Sequence, residues 1–115
     1  MSWVIWHNPR CRKSRETLQL LRDNGVEPTI RLYLEDQPTA SELKTVLQLL
    51  ELEPRGLMRT KEAVYKELGL RGSAVTRDQL LSAMVEHPKL IERPVVIRDS
   101  TAALGRPPEN VLALL

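Results

Sequence analysis

Trp3-Val4-Ile5-Trp6-His7-Asn8-Pro9-Arg10-Cys11-Arg12-Lys13-Ser14-Arg15-Glu16-Thr17-Leu18-Gln19-Leu20-Leu21 is the stretch whose reading decides the fold. Its first four residues are bulky and rich in β-formers, which predicts a short buried strand. From Lys13 to Asn24 the apolar spacing becomes helical, burying Thr17, Leu18 and Leu21, with Gly25 as the C-terminal stop. Between strand and helix sits Cys11, the only cysteine, with Arg10, Arg12, Lys13 and Arg15 all within four positions of it. A thiol at that junction meets helix amides and positive charge, and both favour the reactive thiolate.

Outward from this stretch the elements follow in order. Thr29 to Leu34 reads as a second strand, parallel to the first because a helix connects them. Thr39-Ala40-Ser41-Glu42 fits a capping box ahead of Leu43, Val46, Leu47 and Leu50, and Pro54 closes that helix. A shorter helix is expected over Lys61 to Leu68, ending at Gly69. Thr76-Arg77-Asp78-Gln79 is a second capping box, before Leu80, Leu81, Met84 and Val85, with Pro88 as the stop. Pro94 to Arg98 and Thr101 to Leu104 form a hairpin about Asp99-Ser100. Gly105 ends it, and Pro107-Pro108 opens a last helix carrying Val111, Leu112 and Leu115. The expected class is α/β: a β-α-β half and a β-β-α half on one mixed four-stranded sheet, with a helical insert at about 39–87. That is the order of a thioredoxin-like fold, here in a single domain covering residues 1–115.

The bulk properties narrow the function classes. With 17 basic against 15 acidic residues the net charge is +2, too balanced for a general nucleic-acid binder. One cysteine excludes a disulfide framework and a Cys-rich metal site, so no metal is expected, and it suits a reducing compartment. There is no basic leader with an apolar core and no apolar run near the ~20 residues that span a bilayer, so a soluble cytoplasmic protein is expected. With two Trp, two Tyr and no Phe, the core must come from Leu, Val, Ile and Ala.

Several side chains have a chemical and a structural reading. Cys11 is either a small buried hydrophobe or an activated nucleophile, and the basic residues around it favour the second. His7 is either a charge or base beside the thiol, or a structural histidine at a strand end. Ser14 stands where a Cys-x-x-Cys motif places its second cysteine; its hydroxyl would donate to the thiolate or simply cap the helix. Without a resolving thiol, any disulfide cycle must borrow one from another molecule. A tyrosine-phosphatase loop is excluded, because the arginine it needs six positions after the cysteine is Thr17. Arg59, Arg93 and Arg106 stand out by context, each at an element boundary, and a guanidinium fork suits tetrahedral oxyanions.

His-Asn-Pro-x-Cys-x-x-Ser-Arg at 7–15, Leu-Met-Arg at 57–59, Glu-Arg-Pro-Val at 92–95 and Gly-Arg-Pro-Pro-Glu at 105–109, in this order and spacing, resemble the glutaredoxin-dependent arsenate reductase (ArsC) family. The resemblance implies a thioredoxin-like fold with a helical insert and a cytoplasmic oxidoreductase of arsenic detoxification that converts arsenate to arsenite. It implies Cys11 as nucleophile, His7 and Ser14 as residues tuning its thiolate, and Arg59, Arg93 and Arg106 as the oxyanion-binding set. It also implies no bound cofactor, glutathione as co-substrate and glutaredoxin as partner, with no nucleic acid and no membrane. Arg93-Pro94 is expected to be cis. Arg12-Lys13 replaces the small or polar pair more usual after the cysteine. Two alternatives stay open: a thiol reductase of the same fold acting on glutathionylated or other small substrates, and a non-enzymatic Spx-like regulator. Redox-sensing Spx-type relatives commonly carry Cys-x-x-Cys, where this chain has Ser14.

Overall fold

The computed structural model describes residues 2–115, and their contacts divide them into two compact units, residues 2–36 with 93–115, and residues 37–92. The first unit contains β1 (Trp3–Trp6), α1 (Arg12–Asp23), β2 (Thr29–Arg31), β3 (Val95–Arg98), β4 (Thr101–Leu104) and a closing 3-10 helix, Pro108–Leu114. Its four strands lie in the order β2-β1-β3-β4, with β1 parallel to β2 and antiparallel to β3, and β3 antiparallel to β4. The mixed four-stranded sheet expected from the element order is therefore present.

Helix α1 buries Ser14, Thr17, Leu18 and Leu21, one stripe at i, i+3, i+4 and i+7. Leu18 and Leu21 pack with Ile5, Val96 and Val111 as the core of this unit. The helix stops in a Schellman arrangement: the Val26 N–H donates to the Leu21 carbonyl and the Gly25 N–H to that of Arg22. Gly25 takes φ +79°, the left-handed conformation that disfavours a side chain.

Two elements differ from expectation. β2 ends at Arg31, three residues short of Leu34. There the chain turns: the Glu35 and Asp36 amides both donate to the Leu32 carbonyl, leaving Leu32 and Leu34 exposed while Tyr33 is buried. An apolar run on a sheet edge had mimicked a strand, but local hydrogen bonds close it. The last helix is 3-10 and not α. With three residues per turn, Pro108, Val111 and Leu114 face inward, while Leu112 and Leu115 are exposed.

The second unit is helical: α2 (Ala40–Leu50), a 3-10 turn Pro54–Leu57, α3 (Ala63–Glu67), α4 (Arg77–Glu86) and a 3-10 turn Pro88–Leu90. Both capping boxes form, Thr39 with Glu42 and Thr76 with Gln79. α2 ends earlier than Pro54, on a left-handed Glu51 (φ 56°), and Pro54 instead opens the 3-10 turn. α3 is shorter than the expected 61–68, because residues 59–62 form a turn closed by the Glu62 N–H donating to the Arg59 carbonyl. The unit also reaches beyond residue 87, since Met58 pairs with Ile91 and the Glu92 N–H donates to the Leu57 carbonyl. Among the described residues, no helix is long and apolar enough to cross a membrane.

Candidate active site around Cys11

Strand register gathers the candidate residues of the first unit. Trp6 pairs with Val95, and Val95 with Leu104. The 7–11 loop therefore leaves β1 at the same sheet end where Arg93 enters β3 and Arg106 leaves β4. A hydrogen bond from the Gly105 N–H to the Pro94 carbonyl (2.9 Å) ties the latter two segments together. The peptides Arg93-Pro94 and Arg106-Pro107 are both cis. α1 closes on this end so tightly that a methyl group at Gly105 would stand 2.5 Å from Thr17 Oγ1 and 2.7 Å from Pro94 Cγ.

Cys11 is the N-cap residue of α1, with extended backbone (φ −95°, ψ 121°), and its carbonyl accepts from the Arg15 N–H at 3.0 Å. Its residue is 9% exposed. Burial, the largest influence, pushes the thiol up. The Ser14 amide, the charge and hydrogen bond of Arg93, and the Lys13 amide outweigh it, so the thiol lies below its ordinary value. The side chain makes no conventional cap hydrogen bond; the two first-turn amides act on the anion.

The flanking basic side chains read as the activating feature do something else. Arg12 pairs with Glu16 at 2.9 Å, Lys13 lies 3.8 Å from the same carboxylate, and Arg15 donates to the Pro9 carbonyl at 2.9 Å. Arg12, with its side chain 84% exposed, is largely screened by solvent. The charge that reaches the thiol comes from Arg93. Arg93→Leu is accordingly expected to raise the Cys11 pKa toward the ordinary thiol range, measured by the pH dependence of alkylation with iodoacetamide. An unchanged profile would show that the helix amides alone suffice.

Ser14 and His7 form one buried network. Ser14 Oγ accepts from the Asn8 N–H at 3.0 Å and lies 2.6 Å from His7 Nδ1. Burial, then the positive charges of Arg22 and Arg15, lower the His7 pKa, so the ring is neutral at pH 7. The Ser14 hydroxyl and Nδ1 share this bond, and Ser14 reaches Cys11 through its backbone amide. His7 adds no positive charge at that pH. It holds Ser14, and with it the first turn of α1.

Arg106 is exposed beside this end of the sheet, its carbonyl accepting from Asn110 Nδ2 at 3.1 Å. Arg59 belongs to the second unit, where its Nη1 lies 2.5 Å from Glu62 Oε1. Glu62 gave no signal in the sequence beyond a spacing of three from an arginine. Arg93 acts on Cys11 across 82 positions, and its place before Pro94 and a strand is what singles it out in the sequence.

Residues 6–114 match the ArsC family. The chain belongs to the ArsC family. Similar chains include the uncharacterized protein YfgD of Escherichia coli K12, 52% identical over 96% of this chain and 94% of that protein. A Haemophilus influenzae protein named arsenate reductase is 47% identical over the whole of both chains. The solved structure of an arsenate reductase from Vibrio cholerae covers 100% of this chain and 98% of its own, with a TM-score of 0.98 and 54% identity. The ArsC fold seen here is thioredoxin-like, as the element order had suggested.

Proposed function

We propose that this chain is an arsenate reductase in which Cys11 is the nucleophile and glutathione with glutaredoxin supplies the electrons. The observation that carries the reading is a thiol held below its ordinary pKa by first-turn amides and by Arg93, in a chain similar along its length to proteins named arsenate reductase. The same groups that favour the thiolate favour a tetrahedral oxyanion beside it. Arg93 and Arg106, at one end of the sheet, are assigned to the oxyanion, and the sequence resemblance adds Arg59.

In the proposed cycle the Cys11 thiolate attacks arsenic, forming an S–As bond and expelling one oxygen as hydroxide or water. Glutathione sulfur then attacks Cys11 Sγ. The S–As electron pair passes to arsenic, reducing As(V) to As(III), and the glutathione proton leaves with arsenite. The two sulfurs, each oxidised by one electron, remain as a mixed disulfide. With a single cysteine the chain has no internal resolving thiol, so glutaredoxin reduces that disulfide.

The test is arsenite formation by the purified protein. Full turnover is expected only with glutathione and glutaredoxin together, and omission of glutaredoxin should leave glutathionylated Cys11. Absence of arsenite under complete conditions, with reduction of a glutathionylated peptide instead, would replace this reading by the general thiol reductase.

A further inference from the structure

We propose that Glu62 is the internal counter-charge of Arg59, a positioning residue that sets how tightly tetrahedral oxyanions bind. The inference rests on the reading above that Arg59 contacts the substrate oxyanion, and it adds a residue to which neither the sequence nor the family resemblance gave a role.

The geometry of the second unit isolates this pair. The backbone at Arg59 is pinned: its N–H donates to the Leu90 carbonyl at 2.7 Å, and the neighbouring Met58 pairs with Ile91. The chain then folds back at once, with the Glu62 N–H donating to the Arg59 carbonyl at 3.1 Å. That turn returns the Glu62 carboxylate to the guanidinium, 2.5 Å from Nη1. The side chains are 32% and 24% exposed, so the pair is neither fully screened by water nor sealed from a ligand. With the backbone fixed, the remaining freedom is that of a long side chain, and the carboxylate restricts it.

Two consequences follow from charge and fork geometry. Engaging one arm of the guanidinium leaves the rest of its donors for a second acceptor, so the arginine is oriented before a ligand arrives. At the same time the carboxylate offsets the positive charge. An oxyanion must share or displace it, at a cost that grows with the ligand's own negative charge. The carboxylate therefore weakens binding of arsenate, phosphate and sulfate alike, and keeps Arg59 from being permanently occupied by whichever oxyanion is abundant.

The experiment uses the full chain and the near-isosteric Glu62→Gln, which removes the charge and keeps the shape. Its arsenate KM is expected to fall about threefold, the scale of a partly exposed ion pair, with kcat changing less than KM. Sulfate binding, followed by calorimetry without any turnover, should tighten by a similar factor. Glu62→Asp, which keeps the charge, should stay near wild type in both. In an Arg59→Ala background Glu62→Gln should have no further effect. An unchanged or raised KM and unchanged sulfate affinity in Glu62→Gln, while Arg59→Ala still weakens both, would overturn the role of Glu62 alone. Arg59→Ala that leaves both constants unaltered would remove the reading of Arg59, and this proposal with it. A chain that turns over no arsenate yet tightens on sulfate as described would overturn only the proposed reaction.

Discussion

Cys11→Ser is expected to reduce arsenate turnover by about four orders of magnitude or more, the scale seen when a covalent nucleophile is removed. The change is small in volume, and Cys11 is an N-cap residue where serine is well tolerated, so folding should be preserved. The chemistry is not. The groups around this position draw a thiol below its ordinary pKa, but a serine hydroxyl starts so far above pH 7 that the Ser14 and Lys13 amides and Arg93 cannot bring it into range. A second barrier is independent of the first: oxygen cannot form the S–S bond through which two electrons reach arsenic. Raising the pH should therefore fail to restore Cys11→Ser, whereas it should partly restore Arg93→Leu, whose defect includes too little thiolate. Arsenite formation at two pH values measures both, with sulfate binding as a check that the oxyanion site of Cys11→Ser is intact. Turnover by Cys11→Ser within tenfold of wild type would remove Cys11 from the mechanism.

What the sequence disclosed and what it hid divide along local and non-local physics. The capping boxes at Thr39 and Thr76 and the strand Trp3–Trp6 are written in adjacent residues, and they form where expected. β2 is shorter than its apolar run because Ile30, Leu32 and Leu34 sit on an open edge, where nothing obliges the strand to continue. The last helix differs because Val111, Leu112 and Leu115 fit an α-helical stripe, while Leu114, packing three residues on from Val111, fits a 3-10 one. At the site, the basic run marks Cys11 in the sequence, but the charge that acts on the thiol comes from elsewhere. Arg12 and Lys13 are adjacent in sequence and spend their charge on Glu16. Arg93 is far away in sequence and is brought to the thiol by the β1–β3 register, which no local pattern encodes. The His7–Ser14 bond spans seven positions that share no helix or strand, so no periodicity marks it.

The same convergence makes Gly105 the position where one methyl group should do most harm to the fold. Gly105→Ala is expected to destabilise the protein by about 3 kcal/mol, the upper range for overpacking, and to lower Tm by about 10 °C. The added Cβ would lie 2.5 Å from Thr17 Oγ1, 2.8 Å from Thr17 Cγ2 and 2.7 Å from Pro94 Cγ, all inside contact distance. None of these neighbours yields easily. Thr17 is fixed by its hydroxyl donating to the Lys13 carbonyl at 2.8 Å, and Pro94 is a ring whose carbonyl already accepts from Gly105. Relief requires α1 to move off the sheet. Because Cys11 caps that helix and Arg93 precedes Pro94, the shift should also separate the thiol from its guanidinium, so the Cys11 pKa is expected to rise together with the loss of Tm. A cycle with Thr17→Ala tests the cause, since removing Oγ1 and Cγ2 should recover part of the loss while the Pro94 contact keeps recovery incomplete. A Tm within about 2 °C of wild type in Gly105→Ala, or strictly additive effects in the cycle, would show that α1 does not press on Gly105.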